Sequence, residues 1–498
     1  MTLGRALARN FLGTAPRWYK LTIVGFLMAN PLLLLMLGPT ITGWLIIGEF
    51  IFTLAMALRC YPLQPGGLIA LESLAIGLVG PEAVYHEVET NLPVLLLLMF
   101  MVAGIYFMRE LLLFIFTKLL VKVRSKTLLS LLFSLTAAGL SAFLDALTVT
   151  AVIITVSAGF FAIYHKVASG RGFDDDHDHW DDDLVNAPNR TDLDRFRAFL
   201  RSLMMHAAVG TALGGVCTLV GEPQNLLIGR VMGWDFATFF LKVAPVSMPV
   251  LAAGVVTCVL LERLHWFGYG ERLPDSVRDV IERYDRIETA AIDQRKKSRM
   301  IVQAIAAIFL VVGLALHVAE VGLVGLTVIV FTTAFNGIIE EKRIGHAFEE
   351  ALPFAALLVA FFAIVALIHE QHLFTPVVSR VLAMEGSVQL AWMYAANGLL
   401  SAISDNVFVA TVYISEIRTA FEAGGMSREQ YDLLAVAVNT GTNIPSVATP
   451  NGQAAFLFLL TSTLAPLIRL SYVRMIWMAL PYTIVMSITG LVAVLYAL

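Results

Sequence analysis

The chain has 498 residues, 58% of them hydrophobic and only 14% charged, with a net charge of −4. A soluble domain carries roughly a quarter charged residues, so most of this surface must meet lipid rather than water. The charge forms no basic stripe and no aromatic-basic interleaving of the kind nucleic-acid binding needs, and Cys60, Cys217 and Cys258 make neither a CxxC pair nor an even-numbered disulfide framework.

Arg5, Arg9, Arg17 and Lys20, with no acidic residue among them, hold the N-terminus in the cytoplasm. The apolar run 21–38 contains Pro31 and has no small-residue cleavage site behind it, so it reads as a retained span rather than a signal peptide. A second span, 41–58, returns to Arg59. A short third one, 66–80, leads to Pro81–Asn91, which carries Glu82, Glu87 and Glu89 but no Lys or Arg and suits the periplasmic side. After a fourth span, 92–108, the residues Lys118, Lys122, Arg124 and Lys126 are set among Leu, Phe and Ile, predicting an interfacial helix on the cytoplasmic face. Glu49 and Glu72 fall within predicted spans and read as scaffold or subunit-interface contacts.

Residues 127–164 carry one formal charge, Asp145. The segment is too long for one crossing and is expected to form a re-entrant hairpin with Asp145 at its tip, starting and ending inside. The loop beyond it holds seven aspartates between Asp174 and Asp183, with His177 and His179. It reads as a solvated, disordered loop ahead of a divalent-metal site. A broken crossing is expected at 203–232, where Gly221-Glu222-Pro223 cannot continue a helix smoothly. His206 reads as a satisfied helix-end histidine.

The stretch Glu262–Arg299 is rich in both charges and suits a cytoplasmic connection. Beyond it come crossings at 300–318, 321–339 and 351–368, an interfacial segment at 374–384, a second hairpin at 388–415 containing Asp405, a second broken crossing at 431–460 and a last span from Met475. The expected fold is thus an all-α integral membrane protein of about 11 transmembrane helices plus two re-entrant hairpins, in two inverted-topology repeats with broken helices. Residues 1–60 are its N-terminal helices, 61–261 and 300–498 its repeats, and 262–299 the connection; the C-terminus is expected outside.

The repeats rest on matching sequence. Ser141-Ala142-Phe143-Leu144-Asp145 lies beside Ser401-Ala402-Ile403-Ser404-Asp405, while Gly214, Val220 and Pro223 pair with Gly441, Val447 and Pro450. Interrupted helices at matching places point to a midplane transport site, because unpaired backbone at membrane depth is tolerable only where it lines a wet cavity or binds an ion.

The Ser-Ala-x-x-Asp hairpins, Gly221 to Asn225, and Asn439-Thr440-Gly441-Thr442 followed by Pro445 and Thr449-Pro450-Asn451 resemble the NhaB family of sodium/proton antiporters over nearly the whole chain. That family is related to the divalent-anion/sodium symporters, which usually carry Ser-Asn-Thr at the hairpin tips. This chain has Asp145 and Asp405-Asn406 there, and two carboxylates would repel a doubly charged anion. The resemblance implies an electrogenic exchanger of Na+ (and Li+) for H+ in the bacterial inner membrane, a homodimer joined through scaffold helices, and no cofactor. It implies a transporter rather than an enzyme. A sodium-coupled carboxylate or anion symporter of the same fold is the alternative.

Hard sodium wants oxygen ligands. The candidates are Asp145 and Asp405, where Na+ would bind, with Ser141, Ser401, Thr148, Asn406, Thr442 and Thr449, the carbonyls freed at Val220–Gly221 and Val447–Ala448, and Glu222 as a third proton carrier or a mouth-lining carboxylate. Desolvation favours the protonated carboxyl and a bound cation the ionised one, so the two ions compete for one group.

Overall fold

The computed structural model describes residues 3–144, 146–349, 351–384 and 386–498. Among them helices account for all regular structure, and no strand occurs. Six helices are long and apolar enough to cross a membrane, and the pair Pro81–Leu92 and Val94–Tyr106, bent by 51°, would add a seventh. Leu35, Met36, Leu241, Phe335 and Ile339 stand exposed on the outside, as helices facing hydrocarbon rather than water require.

The 39-residue run Arg17–Ala55 is not one rod. Gly38, at φ 79° and ψ 175°, interrupts it in a region open to glycine. Tyr19 and Phe26 both meet Phe52, at ring-centroid distances of 5.8 and 5.6 Å, and Asn30 bonds Glu49. The arms therefore fold back on each other, as the two expected spans required.

The acidic segment 81–91 is the first part of the helix Pro81–Tyr106, tied down where His369 Nδ1 lies 2.7 Å from Glu87 Oε1, a partner 282 positions away. The basic stretch does form a helix, Arg109–Lys122, whose Leu112, Phe116 and Leu120 are buried against the protein.

The two expected hairpins appear as helix pairs. Lys126–Ser141 is followed by Ala146–Ala168, and Gly386–Ser401 by Asn406–Glu422. The expected breaks are present too. Arg190–Gly215 stops before Pro223–Met232, and Arg428–Asn443 stops before a 3-10 turn, Pro445–Ala448, and the helix Ala454–Thr461. The first broken helix begins thirteen residues ahead of its apolar stretch. In that charged turn Arg197, itself buried, donates to the Leu467 carbonyl and to Asp182 at 2.8 and 2.6 Å.

That contact also orders the acidic loop, against expectation. Asp182 bonds both Arg197 and Arg469, and His177 Nε2 lies 2.8 Å from His165 Nδ1, while Asp174, Asp175, Asp176 and Asp178 stay exposed. Partial burial pushes the Asp182 carboxyl up, but the hydrogen bonds and charges of Arg197 and Arg469 outweigh it and hold it below the usual carboxylate range. Among the described residues no three His, Cys, Asp or Glu side chains gather to hold a metal.

A buried polar cluster ties four helices together beside the first broken one. Glu262 Oε1 receives Ser130 at 3.0 Å and lies 3.2 Å from Lys126 Nζ and 2.8 Å from His206 Nε2, whose Nδ1 is 2.7 Å from the Tyr482 hydroxyl. His206 is thus satisfied on both ring nitrogens, and each buried charge has a partner, as burial demands.

Candidate functional site

The second hairpin turns where Asp405 caps the helix Asn406–Glu422. Its Oδ1 accepts the amides of Val407 and Phe408 at 2.8 and 3.3 Å, the arrangement for which Asp is favoured before a helix. Oδ2 makes no hydrogen bond among the described residues. Asp145 lies outside the described residues. Ala146 opens the helix that follows it, Thr148 is buried in that helix's first turn, and Ser141 is buried at the end of the helix before it.

The serines of the two tips differ. Ser401 donates within reach of Asn406 Oδ1 and of the Thr442 carbonyl, so its single proton is shared between two acceptors. Among the described residues Ser141 Oγ is buried without a partner, and so is Ser404 Oγ. A buried hydroxyl left unpaired is costly in a resting protein, which makes these two oxygens candidates for a ligand. Ser404 was not singled out from sequence, although its place one residue before Asp405 was visible.

The hydroxyl of Thr449 donates to the Ala402 carbonyl at 2.6 Å, and Thr218 donates to the Ala142 carbonyl. Thr442 donates to the Val438 carbonyl at 2.7 Å. The Thr449 proton is therefore committed to backbone and that of Thr442 is shared between the Val438 carbonyl and Asn397 Oδ1 at 3.3 Å, so that only their lone pairs are left for a cation.

These contacts set how the two halves correspond. A Cβ on Gly210 would lie 2.4 Å from the Ser134 carbonyl oxygen, and one on Gly441 2.6 Å from that of Tyr394. Gly214 packs on Ala138 as Gly398 packs on Pro445, and Gly221 packs on Gly215 as Gly452 packs on Ser446. Gly210 and Gly441, Thr218 and Thr449, and Gly221 and Gly452 are each 231 positions apart, whereas the sequence pairing of Gly214 with Gly441 and Pro223 with Pro450 spans 227. The shift is four residues. A four-residue slip keeps a helix on the same face, so the apolar pattern had no power to choose between the registers.

In this register Glu222 answers to Gln453 rather than to Thr449. Each is the residue before a half-helix, in extended conformation, and both are buried. They meet: Gln453 Nε2 lies 3.5 Å from Glu222 Oε1. Behind them Gln224 donates to Asn443 Oδ1 at 2.6 Å and Asn443 to Asn225 Oδ1 at 3.0 Å, a buried amide chain that joins the two breaks.

Between these elements lies a cavity of about 20 Å³, lined by Glu222, Pro223, Gln224, Asp405, Asn406 and Gly452 with Leu147, Val407, Ala454 and Phe354. That is room for about one water-sized occupant. Three helices begin at its wall, at Pro223, Asn406 and Ala454, and their N-terminal ends favour ionised carboxylates there. No cationic side chain is among the lining residues.

The whole chain, residues 1–498, matches the family model described as bacterial Na+/H+ antiporter B (NhaB). The chain belongs to the NhaB family. Curated relatives carrying the name Na(+)/H(+) antiporter NhaB include those of Hahella chejuensis, 64% identical over 493 residues (99% of each chain), and Marinomonas sp., 62% identical over 497 residues (100% of this chain and 99% of the other). A relative of the same name from Pseudomonas aeruginosa is 65% identical over 488 residues, 98% of each chain. The described site elements of this NhaB chain, from Ser141 to Gln453, all lie inside these matches.

Proposed function

We propose that this chain exchanges sodium for protons across the bacterial inner membrane, with Asp145 and Asp405 as the carboxylates that hold the two ions in turn. It is a multi-pass membrane transporter and not an enzyme. The reading is carried by the single small cavity in which Asp405, Asn406, Glu222 and the ends of both broken helices converge.

A sodium ion entering there would meet the Asp405 carboxylate, the Asn406 side chain and the lone pairs of nearby hydroxyls, all hard oxygen donors. The hydrogen bonds from Val407 and Phe408 to Oδ1 fix the carboxylate and leave Oδ2 to take either a proton or the cation. Ser141, Thr148 and Asp145 would supply the corresponding oxygens of the first half. Two carboxylates return more than one proton per sodium, which makes the exchange electrogenic. Lithium, another small hard cation, would follow the same route.

The matching contacts of the two hairpins and two breaks support an inverted-repeat architecture, with N-terminus inside and C-terminus outside, alternating access by the hairpins and broken helices, and a homodimer joined through the remaining helices. The absence of a cationic lining among the described residues supports cation exchange over uptake of a carboxylate anion.

The test is sodium-dependent dissipation of an imposed pH gradient in proteoliposomes under a clamped membrane potential. Asp145→Asn and Asp405→Asn should each abolish it while the protein still elutes as a folded species. Exchange that survives in either variant, or a current that needs an organic anion, would overturn the two-carboxylate reading.

A further inference from the structure

A second pair of carboxylates, not among the residues that line this cavity, lies in the first three helical segments of the chain. Asn30 Nδ2 donates to Glu49 Oε2 and to Glu72 Oε2, each at 2.8 Å. Asn30 is fully buried, Glu49 is nearly so, and Glu72 is half-buried. Asn30 stands eight residues before the break at Gly38 and Glu49 eleven after it, about 12 and 16 Å along their arms. In a hydrocarbon core of about 30 Å that is close to the midplane.

The two carboxylate oxygens share one nitrogen, so they are at most about 5.6 Å apart, twice the bond length. Both cannot comfortably carry charge at that distance in a dry interior. No counter-ion is at hand among the described residues. The electrostatic neighbour of Glu49 is Glu72, and the charged groups on the packed helix Leu352–Glu370 have partners of their own, His369 pairing with Glu87 and Glu370 accepting the Gly80 amide.

An independent observation says what is missing. Asn30 Oδ1 is buried and has no donor among the described residues. It sits on the same rigid amide that already touches both carboxylates, so the cluster contains three groups that accept and one that donates, and it lacks one hydrogen. A single added proton supplies that donor and removes one of the two like charges.

We propose that Asn30, Glu49 and Glu72 form a second intramembrane proton site, which holds one proton between the two glutamates and is separate from the sodium-binding cavity. The shared proton closes the two arms of 17–55 and the helix Leu63–Ala75 around one net charge.

Infrared difference spectroscopy on the full chain tests this through the carbonyl band of a protonated carboxylic acid. Glu49→Gln and Glu72→Gln are each expected to leave the band at its full size, because burial keeps the remaining carboxyl protonated, and only the double variant is expected to remove it. Two independent acids would each remove half. Sodium is expected to leave the band unchanged. A half-loss in each variant, no band in the unmodified chain, or a band erased by sodium would overturn the proposal, the last by making this a cation site. Should a variant fail to fold, mass spectrometry of the unmodified chain after carbodiimide treatment decides. One adduct distributed between Glu49 and Glu72 is expected, and two on the same molecule would refute the shared proton.

Discussion

Gly214→Ala puts the packing of the first broken helix on the first hairpin to a direct test. The new methyl carbon would stand 1.9 Å from the Ala138 carbonyl oxygen and 2.6 Å from its Cα, so the two helices must part by more than 1 Å to reach ordinary contact. Both surfaces are backbone, and neither can turn aside as a side chain would. Overpacking of this kind costs about 3 kcal/mol, offset by about 1 kcal/mol of improved helix propensity, a net loss of about 2 kcal/mol. Gly139→Ala is the matched control. It lies on the same hairpin helix, faces outward, and would meet nothing within 4 Å, so it should be stabilised by up to about 1 kcal/mol. The gap of about 3 kcal/mol corresponds to several degrees in a thermal unfolding scan of detergent-solubilised protein followed by tryptophan fluorescence. If Gly214→Ala melts no earlier than Gly139→Ala, the two helices do not touch as described and the 231-position register falls with that contact.

Two further outcomes follow from the same structure. Thr218→Val and Thr449→Val each strand a tip carbonyl, that of Ala142 or Ala402, and each should lower stability by about 1–3 kcal/mol with a parallel fall in exchange rate. Equal melting to the unmodified protein would remove those hydroxyls from the hairpin's support. For Asp182 the folded carboxyl is held below its ordinary value. Its contribution to order in the loop is therefore complete above the unfolded value near 4 and disappears as pH falls through the lower, folded one. Proteolysis between residues 170 and 189 should be slow at neutral pH and accelerate only in acid, whereas Asp182→Asn should be cut faster at neutral pH; a pH-independent cleavage rate would rule out that role.

Much of the fold was legible because a charge or a proline in an apolar run has few explanations. Asp405 inside 388–415 and Pro223 inside 203–232 marked interruptions of the apolar runs, and at each of them the next helix begins. What sequence did not reveal depends on partners far along the chain. The acidic run 81–91 is a helix held where His369 answers Glu87, and the acidic loop is tied down at Asp182 by Arg197 and Arg469. Asn30 was one polar residue in an apolar span. Only its contact with Glu49 and Glu72 gives it meaning, and that contact exists because the chain reverses at Gly38.

The corrected register also explains why the two halves differ where they meet. Position 222 corresponds to 453, and Gln453 Nε2 lies 3.5 Å from Glu222 Oε1. Had both halves kept glutamate there, two carboxylates would confront each other in a buried site beside Asp405, and the like charges would repel strongly in such a medium. An amide at 453 is close to the same size and supplies a donor in place of a second acceptor. Among the described residues Gln453 Oε1 is buried and unpartnered. The amide at 453 thus keeps a second negative charge away from Glu222, which itself lines the cavity.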